Sequence, residues 1–312
     1  MFLQEYERAI RTGEIVASKR IKKVYAQLVR EIDDPSKAFY FDEEKAQRPI
    51  IFIERFVRFA TEHSTVKLEL FQKAAIEVVF GFVWRETGYR RFREFFWLLG
   101  RKNGKTSIAA AIVWYMLTKD NEPAAECYSV ATKLDQAKKV FNEIIAIRKY
   151  SAILKRVSKK RRTDVYIPST LSFFMPLSSE SQKLDSFNSH CAVLDEVHAM
   201  TDRNIYDAMV QSMSATSRKQ PLLMIITTAG FVRESLFDAL YHYAVQVADE
   251  VITDDTFLPL LYELDSPDEW TDPKCRVKAN PGLGPIKSLS YLQGFVERAK
   301  NDSSVKNTVL VS

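Results

Sequence analysis

The chain has 312 residues, of which 46% are apolar and 27% charged, with a formal net charge of +5, the balance of a globular protein with one large core or two smaller ones. Three scattered cysteines (Cys127, Cys191, Cys275) form no C-x-x-C pair and four histidines no i, i+4 pair, which argues against a disulfide framework or a zinc site and fits a reducing cytosol. The opening MFLQEYERAI carries acids where a secretory signal would be apolar, no run approaches the roughly 18 apolar residues of a membrane span, and the mild positive charge permits a nucleic-acid partner without requiring one.

Residues 1 to about 65 predict helices. EYERAIRTGEIVASKRIKKVYAQLVREI spaces its apolar residues three and four apart until Asp33-Asp34-Pro35 breaks the pattern, and RPIIFIERFVRFATE is a second amphipathic segment. From about 66 to 255 short apolar runs alternate with helical stretches, the texture of a mostly parallel sheet with crossover helices. The runs are REFFWLLG, ECYSVAT, DVYIP, LSFFMPL, HCAVLDE and PLLMIITTAG. From 256 to 312 proline and glycine dominate, in SPDEWTDPKC and KANPGLGPIKS, followed by one helix, SLSYLQGFVERAKND. That region reads as a linker and a helix leading away from the core.

Within FREFFWLLGRKNGKTSIAAAIVWYML an apolar strand runs into a polar turn and then an alanine-rich helix. This is the setting of a phosphate loop, whose backbone N–H groups face phosphates at a helix N-terminus. Lys105 is placed to reach the β- and γ-phosphates and Thr106 to set its hydroxyl on Mg²⁺. The first glycine of G-x-x-x-x-G-K-[ST] is missing, since Leu99 stands there. About 90 residues on, HCAVLDEVHAM is an apolar strand ending in Asp195-Glu196. In a phosphate-loop NTPase these acids hold Mg²⁺ (Asp195) and orient and deprotonate the attacking water (Glu196). LLMIITTAG then ends a third strand in Thr227-Thr228, candidates for sensing the γ-phosphate and passing that state on. A capped helix start, an acidic strand end and an ordinary strand-to-loop turn are the plain readings of the same three segments taken singly.

Together the segments resemble the ATPase portion of a tailed-phage terminase large subunit, in the branch similar to the HK97-type packaging motors. GYRRFREFFWLLGRKNGKTS resembles that family's approach to a variant phosphate loop, in which an arginine stands four residues before the lysine, here Arg101 and Lys105. LDEVHAM resembles its second acidic motif, Walker B, and TTAG its coupling motif. ATKLDQAKKVF, KLDSFNSH and KANPGLG match further family patterns. The resemblance covers roughly residues 66 to 310. It implies a P-loop NTPase of the ASCE (RecA-like) α/β class, preceded by an N-terminal helical region.

The resemblance also implies ATP and Mg²⁺ as cofactors, and nucleotide-binding roles for Arg101, Lys102, Asn103, Gly104, Lys105, Thr106, Ser107 and Thr228. Gln72, in LELFQKA, stands where the family reads adenine. An arginine supplied by a neighbouring subunit would stabilise charge on the transferring phosphoryl group. Arg218, in SATSRKQPLL, is the first candidate, with Arg203, Arg161 and Arg162 as competitors. RKYSAILKRVSKKRRTD carries eight basic residues from Arg148 to Arg162. It is a candidate track for duplex phosphates, or simply a solvated face.

The implied partners are double-stranded DNA, the portal protein, the small terminase subunit and further copies in a ring, a pentamer on the capsid. The implied location is the host cytoplasm, transiently at the procapsid portal. The family's metal-dependent nuclease domain would follow the linker. The acids near the end of the chain (Asp265, Asp268, Glu269, Asp272) lie in a loop, so no nuclease activity is expected from these 312 residues. The expected function is therefore an ATPase motor that translocates duplex DNA into a procapsid. The alternatives are a helicase-like translocase, or a non-catalytic nucleotide-gated DNA-binding or assembly module.

Overall fold

The computed structural model describes residues 1–60, 64–178, 187–200, 203–230 and 235–302, with 304 and 306. At the N-terminus the three-four spacing yields helix α1 (Phe2–Arg11), which turns Leu3, Tyr6, Ala9 and Ile10 inward. The single helical stretch read from residue 5 to 32 is interrupted at Gly13, and α2 (Lys19–Glu31) restarts where the Ser18 hydroxyl accepts from the Ile21 amide. The next helix begins earlier than its apolar face suggests. α3 (Glu43–Phe56) is capped by Asp42 and carries Pro49 in its interior. Between them β1 (Phe39–Phe41) pairs antiparallel with β2 (Phe82–Trp84), the strand that follows α4 (Leu70–Gly81).

The main sheet is built from β3 (Glu94–Leu98), β4 (Glu126–Ala131), β5 (Lys159–Lys160), β6 (Val165–Ile167), β7 (Ser172–Ser178), β8 (Ser189–Asp195), β9 (Leu222–Thr227) and β10 (Phe257–Leu261). Their order is β10-β3-β9-β8-β4-β7-β6-β5. The six strands from β10 to β7 are parallel, and β6 and β5 run antiparallel at one edge. Each apolar run read as a strand between residues 93 and 230 forms one. β10 lies beyond that stretch: Phe257 to Leu261 pair with Glu94 to Leu98, so the sheet extends into the region read as linker.

α5 (Lys105–Thr118) crosses the sheet with every residue from Ile108 to Leu117 buried, the behaviour of a helix that is apolar all round. α6 (Leu134–Tyr150), α7 (Ala152–Val157), α8 (Asn204–Ser212) and α9 (Leu236–Ala248) complete the described helices of the core. α10 (Arg276–Ala279) and α11 (Leu289–Asn301) follow β10. One buried apolar cluster runs from Leu3 to Tyr262, so the N-terminal helices and the sheet share a core. Because the strands are parallel, their C-terminal ends gather at one edge. That edge carries Leu98, Thr227 and Asp195, and β9 lies between the strand leading to Gly100 and the strand ending in the acids.

Candidate nucleotide site

The loop from Leu99 to Gly104 connects β3 to α5, and Gly104 caps the helix in the left-handed region at φ +81°. Glycine takes that backbone without strain, which lets the chain turn sharply and present the N-terminal amides of α5 outward. Lys105 is buried, and its ammonium donates to the carbonyls of Leu99 (2.9 Å) and Gly100 (3.1 Å). Burial pushes its pKa down to about 8; Glu196 and Asp195 oppose the shift and Arg101 adds to it. A buried ammonium with a depressed pKa is poised to gain from an anion. The Arg101 and Lys102 side chains are exposed on the loop, and Arg101 is close enough for its charge to act on both Lys105 and His198.

Thr106 donates its hydroxyl to Asp195 Oδ2 at 3.2 Å, joining the two motifs across 89 residues of sequence. Asp195 is the last residue of β8 and is almost fully buried. Burial, and then the neighbouring Glu196, raise its pKa to about 6. Its second oxygen, Oδ1, is buried with no hydrogen-bond partner. An orphaned carboxylate oxygen beside a threonine hydroxyl suits a hard divalent cation that keeps its waters and takes its remaining ligands from phosphate. Among the described residues no group of three or more His, Cys, Asp or Glu side chains is set to hold a metal. The donor set therefore fits Mg²⁺ arriving with a nucleotide rather than an ion caged by protein.

Glu196 stands just past the strand at φ +59°, a left-handed backbone on a non-glycine residue. Its amide donates to Ile226 O (3.0 Å) and its carbonyl accepts from Ala199, which hold the turn. The carboxylate remains partly exposed, with Oε2 3.2 Å from His198 Nδ1. His198 is the residue that sequence reading passed over. Its amide donates to Thr227 Oγ1 (3.2 Å), and its Nδ1 lies 3.3 Å from that hydroxyl and 3.4 Å from Thr228 Oγ1. The imidazole thus bridges the acid-bearing strand to the threonines of the third motif. Burial lowers its pKa, against the pull of Glu196.

The remaining predicted residues divide. Gln72 stands beside the loop: a methyl group placed on Gly104 would meet Gln72 Nε2 at 3.5 Å, and Gln72 Oε1 caps α4 by accepting from the Glu69 amide. Asn103 is buried and donates to Gly100 O at 2.9 Å, so it braces the loop from inside. Ser107 turns its hydroxyl toward Glu143 of α6 at 3.3 Å.

Arg218 is a correction. It precedes β9 and therefore lies at the N-terminal edge of the sheet, opposite the phosphate loop. There its guanidinium is buried, donating to the carbonyls of Asn188, Pro123 and Ala124. With its donors so engaged it cannot reach into a neighbouring subunit. Arg161 pairs with Asp164 and stacks on Tyr166, and exposed Arg203 pairs with Asp207 at 3.0 Å. Arg162 is exposed beside β5. The quoted segment KLDSFNSH lies outside the described residues from 183 to 186.

The sequence model of the terminase large subunit ATPase domain matches residues 70–246. This chain belongs to that family. Among curated proteins, the terminase large subunit of Lactococcus phage p2 is 23% identical over 309 residues, covering 95% of this chain and 55% of that protein. Protein YmfN of Escherichia coli strain K12 is 33% identical over 123 residues, 39% of this chain and 27% of that protein. The crystal structure of the HK97 bacteriophage large terminase superposes with a TM-score of 0.71 at 23% identity, over 86% of this chain and 54% of that one. The chain thus spans about half the length of the two terminases.

Proposed function

We propose that this terminase ATPase domain hydrolyses Mg²⁺–ATP to drive double-stranded DNA into a procapsid. The observation that carries the reading is the Thr106–Asp195 contact with Glu196 beside it, at the sheet edge where Lys105 emerges. Lys105 and Arg101 would lie on the phosphates, with Thr106 and Asp195 holding the cation. Bound Mg²⁺ would offset charge on the β- and γ-phosphates. Glu196 would take the proton of the attacking water, and Gln72, beside Gly104, would contact the base. His198 would carry the state of Glu196 to Thr227 and Thr228, whose strand is hydrogen-bonded to β3 on one side and β8 on the other.

The basic stretch supports a DNA contact in part. Lys155, Arg156, Lys159, Lys160 and Arg162 are exposed around α7 and the edge strand β5. Arg148 is engaged with Ser158, and Arg161 with Asp164. Phosphate contacts of this kind would be blind to sequence, as a packaging motor requires. A ring of copies, the portal and the small subunit complete the proposal, and the arginine in trans would have to come from a residue other than Arg218. Among the described residues no helix is long and apolar enough to cross a membrane.

The test pairs two assays. Blunt duplex DNA should raise Lys105-dependent ATP hydrolysis, and a forked duplex should not be unwound. Unwinding would favour the helicase-like translocase instead.

A further inference from the structure

Beside the phosphate loop, the backbone from Asn280 to Lys287 closes on itself. The Leu283 amide donates to Asn280 O (2.9 Å), the Ile286 and Lys287 amides both donate to Gly282 O (2.9 Å each), and the Gly284 amide donates to Lys287 O (2.8 Å). A segment bonded to itself in this way holds its shape, so its contacts with the loop carry a defined position.

Two buried amides make those contacts. Asn103 donates from Nδ2 to Gly100 O (2.9 Å), Arg101 O (3.3 Å) and Asn280 Oδ1 (2.9 Å), and its Oδ1 accepts from the Gly282 amide (3.0 Å). Asn280 Oδ1 also accepts from the Lys287 ammonium (2.8 Å), and Asn280 Nδ2 donates to Arg276 O (3.2 Å). Every polar atom of the two side-chain amides is bonded, the condition under which a buried polar network is rigid rather than costly. Gly100 is held at both ends. Its amide donates to Ala279 O (2.8 Å), and its carbonyl accepts from Asn103 and from the Lys105 ammonium (3.1 Å). The carbonyl on which Lys105 rests is thus located by Ala279 directly and by Asn280 through Asn103. The approach is close: a Cβ on Gly282 would lie 3.2 Å from Asn103 Oδ1 and 3.0 Å from Ile286 Cδ1.

We propose that Asn280 is a positioning residue for the nucleotide site. It acts through Asn103, not on the ligand. The bond between them keeps the Gly100 and Arg101 carbonyls engaged by the Asn103 side chain, which leaves the loop amides to face phosphate and fixes the point from which Lys105 reaches it. The inference rests on the nucleotide-binding reading of Lys105 and deepens it, since the segment after β10 becomes a support of the phosphate loop.

Affinity for Mg²⁺–ATP and for inorganic pyrophosphate would be measured by calorimetry on the full chain, alongside melting temperature. The variants are Asn280→Ala, Gly282→Ala, Asn103→Ala, the Asn103→Ala/Asn280→Ala double variant and Lys105→Met. Asn280→Ala should weaken both ligands about tenfold, the effect of losing one buried hydrogen bond. In steady-state hydrolysis that loss should fall on KM. Gly282→Ala, whose methyl group crowds Asn103 Oδ1, should weaken both ligands several-fold, and it carries the test if Asn280→Ala does not fold. Because both amides act through one bond, Asn280→Ala should add less than about threefold in the Asn103→Ala background. Unchanged affinity in Asn280→Ala and Gly282→Ala, with or without a lowered melting temperature, would overturn the proposal, since that marks a purely structural amide. So would a tenfold loss that persists when residue 103 is alanine, or a loss confined to kcat. If the parent chain binds neither ligand, or Lys105→Met binds them as well as the parent, the phosphate-loop reading itself fails and the proposal falls with it.

Discussion

Glu196 is held in a left-handed turn that costs a non-glycine residue about 1–2 kcal/mol, and the bonds around it show what that turn serves. It sets the carboxylate beside His198, which touches both threonines of the neighbouring strand. His198→Ala should therefore lower kcat about tenfold or more, the effect of losing a hydrogen bond to a charged group, with ATP affinity little changed; steady-state kinetics and equilibrium binding separate the two. Gly104→Ala tests a different residue. A methyl group has room, but φ +81° is strained for alanine by about 1–2 kcal/mol, so nucleotide affinity should fall several-fold in the same titration. Asp195 and Glu196 were legible because they adjoin the end of an apolar strand, and Lys105 and Thr106 because they open the apolar helix that follows one. His198 was not, because its hydroxyl neighbours Thr227 and Thr228 come from a different strand. Arg218 misled for a reason visible afterwards: in a parallel sheet, a residue preceding a strand lies at the edge opposite the site.

Pro259 shows why one element escaped notice. Proline cannot donate to a ladder, so FLPLL reads poorly as a strand, yet β10 is an edge strand and one side of it needs no partner. β1 and β2, three residues each, are too short to show an alternation. The ends of the central strands away from the phosphate loop hold a second unread feature. Arg90 donates to both oxygens of Asp120 at 2.8 Å, and His190 Nε2 lies 2.8 Å from one of them, all buried. Burial would raise the Asp120 pKa, but Arg90 and His190 outweigh it and hold the carboxyl below its ordinary value. Asp120→Asn leaves Arg90 as an uncompensated buried charge and should cost about 3–5 kcal/mol at neutral pH. A carboxyl depressed in the folded state stabilises above its unfolded pKa of about 3.9 and loses that contribution as pH falls below it. Urea unfolding from pH 7 to 3 should thus show a gap between parent and variant that is constant down to about pH 4 and then narrows.

On the scale of the whole chain, the apolar cluster that begins at Leu3 and reaches Tyr262 ties the N-terminal helices to the main sheet. The Leu3 amide donates to Glu77 of α4 at 2.6 Å, and Leu3, Tyr6 and Ile10 are buried. Burying each large side chain contributes about 1.5–3 kcal/mol. Deletion of residues 1–17 should accordingly lower stability by several kcal/mol, seen as a reduced urea midpoint. Separate polar bonds, from Asn103 to Asn280 and from the Gly100 amide to Ala279, join the segment after β10 to the loop that precedes α5. The central claim is that this edge of the sheet hydrolyses ATP. Its most direct test is the per-chain rate of Mg²⁺–ATP hydrolysis as a function of protein concentration, for the parent and for Glu196→Gln. The account predicts a rate that climbs with concentration, as neighbouring copies complete the site, and that falls at least about a hundredfold in the variant. A parent that binds ATP yet turns it over no faster than Glu196→Gln would contradict it and point to a nucleotide-gated binding module.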